Sequence, residues 1–141
     1  MDRHGPIMII EDDLDDQYMF NEVFKDLNYA NEIIFFGDGL AALNYLTESS
    51  VKPFIIFSDI NMPRLNGIEL RERILQNEDL RLKSIPYLFF STTAEQRFVI
   101  DAYSKSAQGF FIKPATFKEL KDTVKLILEY WLKCVAPNYV Q

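Results

Sequence analysis

The residues best equipped for chemistry in this chain are Glu11, Asp12, Asp59, Ser91 and Lys113, and each follows a short apolar run. Pro6-Ile7-Met8-Ile9-Ile10 leads into Glu11-Asp12-Asp13, and Phe54-Ile55-Ile56-Phe57 into Ser58-Asp59-Ile60-Asn61-Met62-Pro63. Tyr87-Leu88-Phe89-Phe90 leads into Ser91-Thr92-Thr93, and Gly109-Phe110-Phe111-Ile112 into Lys113-Pro114. A carboxylate at the tip of a buried strand is costly unless a charge or a metal meets it. Three carboxylates drawn together repel one another, each close pair by on the order of 4 kcal/mol at an effective dielectric of ~20. Mg²⁺ relieves that repulsion, and it favours one or two carboxylates, some waters and a phosphate oxygen over an all-protein cage. Lys113 supplies a point positive charge suited to a phosphoryl oxygen, and Ser91 a hydroxyl donor. Such a set suits Mg²⁺ and a phosphoryl group, with one carboxylate free to accept the latter as an aspartyl phosphate.

These residues meet only if the strands that carry them lie side by side. Runs apolar on both faces, as at Phe54–Phe57, indicate strands covered by helices on each side of a parallel sheet. The segments between them have helical spacing. Leu14–Leu27 carries Phe20, Val23, Phe24 and Leu27, with Asp13 as its cap and Asp15 and Asp16 in its first turn, where acids favour the positive helix end. A short strand over Glu32–Phe36 precedes a helix bearing Leu40, Leu43 and Leu46. Another helix covers Ile68–Gln76, and a fourth runs from about Ala94 to Ser106 with Phe98, Val99 and Ala102 inward. The last starts near Thr116, its cap, with a stripe of Phe117, Leu120, Val124, Ile127, Leu128, Trp131 and Val135. Strict βα alternation predicts an α/β fold, a five-stranded doubly wound parallel sheet in the order 2-1-3-4-5. In that order the connections reverse between the first and third strands, and ligands bind at the carboxyl ends beside such a switch point. Glu11, Asp12 and Asp59 fall there.

Bulk properties narrow the classes. The 141 residues suit one domain, with a core over about 7–135, a loose tail at 136–141 and no output domain. Net charge is −6, from 15 Lys and Arg against 21 Asp and Glu, so no nucleic-acid or anionic-membrane footprint is expected. No apolar run approaches the ~18 residues of a membrane span, and the lone Cys134 fits a reducing compartment. A cytoplasmic location is expected. His4 is expected to be solvated and Trp131 to pack in the core.

In their order and positions, Glu11-Asp12, Asp59-Ile60-Asn61-Met62-Pro63 with Gly67 after it, Ser91 and Lys113-Pro114 resemble the receiver domains of two-component response regulators. The similarity spans about Ile7 to Val135 and implies the flavodoxin-like, chemotaxis-regulator type of (βα)5 fold. It implies that Asp59 takes a phosphoryl group from a sensor histidine kinase or a histidine phosphotransfer protein. Asp12, Asp59 and the Asn61 backbone carbonyl would bind Mg²⁺, with Mn²⁺ able to substitute, and Glu11 would act through water. Lys113, Ser91 and Thr92 would contact the phosphoryl group, and Ser91 and Phe110 would form a switch pair. The Lys113–Pro114 bond would be cis, a form nearly confined to X-Pro. Such a chain would be no enzyme beyond its own phosphorylation and dephosphorylation. Its output would be a downstream protein or a second copy, docked on the face of the helix near 94–106, the fifth strand and the last helix. Arg97, Asp101, Lys105, Lys118 and Asp122 are expected to lie largely exposed there. Three departures from the family pattern stand out: Ser rather than Thr at 91, the bulky Thr92 where a small residue is usual, and Phe rather than Tyr at 110.

Other readings fit less well. The acids from Glu11 to Glu22 have the frame of a calcium loop, but Asp16 stands where the sharp-turn glycine belongs and no helix precedes it. Asp13, Asp15 and Asp16 read as an ordinary acidic helix start. A phosphohydrolase of the haloacid-dehalogenase type needs a second acid two residues after its nucleophile, and Asn61 occupies that position. A receiver-like interaction module that is never phosphorylated would lack a site residue, and none is missing.

Overall fold

Five parallel strands form the centre of the computed structural model, which describes residues 1–137. They are β1 (Ile7–Ile10), β2 (Ile33–Phe36), β3 (Ile55–Ser58), β4 (Tyr87–Ser91) and β5 (Gly109–Ile112), in the order β2-β1-β3-β4-β5. The order is the expected one, with every neighbouring pair parallel.

Strand periodicity sorts the core into two layers. Met8, Ile10, Ile56, Tyr87 and Phe89 point to one face and pack against α2 (Gly39–Glu48), α3 (Gly67–Gln76) and α5 (Gln96–Ser104). Ile7, Ile9, Ile55, Phe57, Leu88 and Phe90 point to the other and meet α1 (Leu14–Leu27) and α6 (Phe117–Lys133). Every βα unit except that of α5, whose Glu95 makes no capping hydrogen bond, starts its helix with a side-chain cap. Asp13 accepts from the Asp16 N–H at 3.0 Å, Asp38 from Ala41, and Thr116 from Glu119. Asn66 and Glu69 form a reciprocal capping box at the start of α3.

Three details differ from the sequence expectation. A short helix, α4 (Glu78–Leu82), fills the connection before β4. Asn77 caps it, with Glu78 and Asp79 in the first turn, and it buries Leu80. Phe117 and Val135 leave the buried stripe of the last helix, at 41% and 90% exposure. Phe117 opens the first turn of the helix, and Val135 lies beyond its end at Lys133. The expected tail at 136–141 lies outside the described residues from 138 onward. Trp131 is half-buried against the α1–α6 layer, and His4 is exposed.

Candidate functional site

Backbone hydrogen bonds at the strand ends fix the positions of the candidate groups. The Asp59 N–H donates to the Ile10 carbonyl at 2.9 Å, so the end of β3 sits beside the end of β1. The Glu11 N–H donates to Phe36 at 2.9 Å, tying the same point to β2. On the other side, the Lys113 N–H donates to the Ser91 carbonyl at 2.8 Å, which holds the lysine at the exit of β4. The reversal between β1 and β3 thus brings residues from four strand ends to one place.

One carboxylate oxygen from each of Glu11, Asp12 and Asp59 lies within 4.8 Å of the others. Ligands across an octahedral Mg²⁺ at 2.1 Å stand about 4.2 Å apart. The hard oxygen set therefore fits such an ion with only small side-chain adjustment. Glu11 is buried and Asp59 nearly so, whereas Asp12 faces solvent. The Lys113 ammonium lies 2.5 Å from Glu11, 2.8 Å from Asp16 and 3.1 Å from Asp59. Asp59 Oδ1 accepts from the Ile60 N–H at 2.7 Å, leaving Oδ2 to the lysine. Burial, and then the neighbouring Asp59 charge, push the Glu11 carboxyl from 4.5 up to about 7, against the pull of Lys113. Hydrogen bonds to Asp16 and Glu11, with the Asp59 charge, outweigh desolvation and raise the lysine above its ordinary value.

The match to known proteins is direct. Residues 7–125 match the family model of the response regulator receiver domain. The chain belongs to that family. It is 33% identical over 135 residues to response regulator Rcp1 of Synechocystis, covering 92% of this chain and 90% of Rcp1. The Mn²⁺-bound structure of Rcp1 superposes with a TM-score of 0.81 at 31% identity, over 96% of this chain and 99% of that one. The phosphorylated cyanobacterial phytochrome response regulator RcpA superposes at 0.84 with 25% identity, over 94% and 97% of the two chains.

The other residues expected at the site fall as follows. Ser91 is buried, its Oγ accepting from the Thr93 N–H at 3.2 Å, and Thr92 is exposed. Phe110 is half-buried, its ring 6.0 Å from that of Phe89. Asn61 stands exposed in the loop after Asp59. The Lys113–Pro114 bond, expected to be cis, is not: the described chain contains no cis peptide. For an X-Pro bond the trans form is intrinsically favoured by about 0.5–1 kcal/mol, and with it the ammonium already reaches all three carboxylates.

Two contributors escaped the sequence reading. Asp16, taken there as part of an acidic helix start, is a direct partner of Lys113. Tyr87, seen only as an apolar strand residue, is fully buried, its hydroxyl 2.9 Å from Ser58 Oγ and 2.8 Å from the Gly67 carbonyl. Ser58 donates in turn to the Asp59 carbonyl at 2.7 Å. Two hydroxyl protons thus serve two buried carbonyls, pinning the loop on both sides of Asp59–Gly67. A Cβ at Gly67 would stand 1.9 Å from the Asp59 carbonyl oxygen, so this crossing requires glycine. Below Tyr87, the buried Arg71 places its guanidinium over the phenol ring and donates to the Lys105 and Ser106 carbonyls that end α5. A cleft of about 310 Å³ lies by Arg71, Pro86 and Trp131, away from the acids.

Proposed function

We propose that this receiver accepts a phosphoryl group on Asp59 in a Mg²⁺-dependent reaction, from a sensor histidine kinase or a histidine phosphotransfer protein. The observation that carries the reading is the convergence of the Glu11, Asp12 and Asp59 oxygens within 4.8 Å, with the Lys113 ammonium 3.1 Å from Asp59. A carboxylate oxygen of Asp59 attacks phosphorus as the bond to the donor nitrogen breaks, and an acyl phosphate forms. Asp12, Asp59 and the Asn61 carbonyl would hold the ion, with Glu11 acting through water. Bound there, Mg²⁺ neutralises charge on the transferring group. Lys113, Ser91 and Thr92 meet the phosphoryl oxygens. The chain catalyses only its own phosphorylation and dephosphorylation, and works as a cytoplasmic switch. No helix among the described residues is long and apolar enough to cross a membrane.

The output face is the one formed by α5, β5 and α6. Arg97, Asp101, Lys118 and Asp122 are exposed on it, while Lys105 is half-buried and pairs with Glu72. It also carries apolar residues that the sequence reading did not single out: Ile100, Tyr103 and Ile112 are 65%, 52% and 60% exposed. Phosphorylation draws Ser91 toward the new oxygens, Phe110 turns into the space behind it, and this face binds a downstream protein or a second copy more tightly. The test pairs two variants. With Mg²⁺ and phosphoramidate, the wild type gains a base-labile adduct and Asp59→Asn gains none, because an amide is no nucleophile at neutral pH. Ser91→Ala still accepts phosphate but loses the change in binding. Undiminished labelling of Asp59→Asn would remove the acceptor assignment, and an unaltered binding response in Ser91→Ala would remove the switch.

A further inference from the structure

The Lys113 ammonium has three N–H donors, and three carboxylates surround it: Glu11, Asp16 and Asp59. Two of the three, Glu11 and Asp59, belong with Asp12 to the oxygens that converge for a cation. Asp16 does not. It comes from the first turn of α1, where its own N–H is fixed to the Asp13 cap at 3.0 Å. A divalent ion that draws on Glu11 and Asp59 therefore competes with Lys113 for two of its partners. It also sets a like charge beside the ammonium. A lysine is a strongly hydrated point charge on a flexible stem, and with no other partner it would swing toward water. Asp16 is the partner that the ion leaves in place. The favourable placing of acids at a helix start accounts equally for Asp15, but not for a 2.8 Å contact between residues 97 positions apart.

We propose that Asp16 is a positioning residue for Lys113. Its carboxylate keeps the ammonium beside Asp59 after the cation has bound, so that an N–H stands ready for the incoming phosphoryl oxygen. The assignment rests on Asp59 being the phosphoryl acceptor.

Two measurements on the whole 141-residue chain test it, comparing wild type, Asp16→Asn and Asp16→Glu. The first is the lysine-ammonium NMR signal at saturating Mg²⁺, which needs no phosphoryl transfer. A slowly exchanging Lys113 signal is expected in the wild type, absent in Asp16→Asn and regained in Asp16→Glu. The second is the rate of phosphorylation by phosphoramidate, again at saturating Mg²⁺. The small donor takes partner docking on α1 out of the comparison, and saturation takes out any general weakening of ion binding. Asp16→Asn should be slower by about tenfold, the worth of one charge-assisted hydrogen bond, and Asp16→Glu should recover most of the rate. An ammonium signal that survives in Asp16→Asn, or a rate within about twofold of wild type, overturns the proposal. An anchored ammonium that depends on Asp16, in a wild type that takes up no phosphoryl group, upholds the anchor and refutes the acceptor role of Asp59 instead.

Discussion

Raising the pH from about 5 to about 8 should weaken the metal-free protein, with Glu11 as the main cause. Its carboxyl is 2% exposed and is held by Lys113 at 2.5 Å and the Asp13 N–H at 3.1 Å. Burial leads the causes that lift it from 4.5 to about 7. Between those values the unfolded chain has released this proton and the folded chain keeps it. The folded state then binds more protons, so stability falls as pH rises through the window; below it both states are protonated, above it both are ionised. At about 1.4 kcal/mol for each pH unit, the gap is worth about 3 kcal/mol. The Met1 amino group acts in the opposite sense. Its value is lowered from 8.0 chiefly by burial, so the folded state is the less protonated one just below that pH and gains stability there. Glu11→Gln separates the two, since glutamine does not titrate. Equilibrium urea unfolding at both pH values should show the wild type losing about 3 kcal/mol more than Glu11→Gln. Mg²⁺ at ~100 times its dissociation constant should add about 2.7 kcal/mol at the higher pH, and less at the lower, where Glu11 must first give up its proton. The same pH dependence in wild type and Glu11→Gln would refute the reasoning.

Two substitutions probe the support beneath the loop that follows Asp59. Tyr87→Phe keeps the ring but removes the hydroxyl that serves Gly67 and Ser58, so it should cost about 1–3 kcal/mol through an unsatisfied buried carbonyl. Urea unfolding within about 0.5 kcal/mol of wild type would show that the hydroxyl is dispensable. Gly67→Ala drives a Cβ into the Asp59 carbonyl, and should cost at least about 2 kcal/mol and slow phosphoryl uptake. A melting curve and labelling rate matching the wild type would mean that this crossing is looser than the contact implies.

Much of this receiver is legible along the chain because its determinants are local. Apolar runs ended by polar residues mark β1 to β5, helical spacing marks the longer helices, and Asp13 and Thr116 act as the caps their positions suggest. Strict alternation then leaves few ways to connect the strands, and those ways bring Glu11, Asp12, Asp59 and Lys113 together. Helix α4 had a local signal too, Asn77 before Glu78-Asp79, but its five residues are too short for periodicity to reveal. What sequence could not decide depends on distance between remote side chains. Asp15 and Asp16 are both acids in one helical turn, yet only the packing of α1 against α6, over the end of β5, makes Asp16 a partner of Lys113. Tyr87 reads as one more apolar strand residue until the turn at Gly67 brings a carbonyl to its hydroxyl. Residue type and spacing determined the fold and the neighbours of Asp59. Tertiary packing alone decided which of several like residues met them, because hydrogen bonds and ion pairs form over about 3 Å, a span that spacing along a chain does not encode.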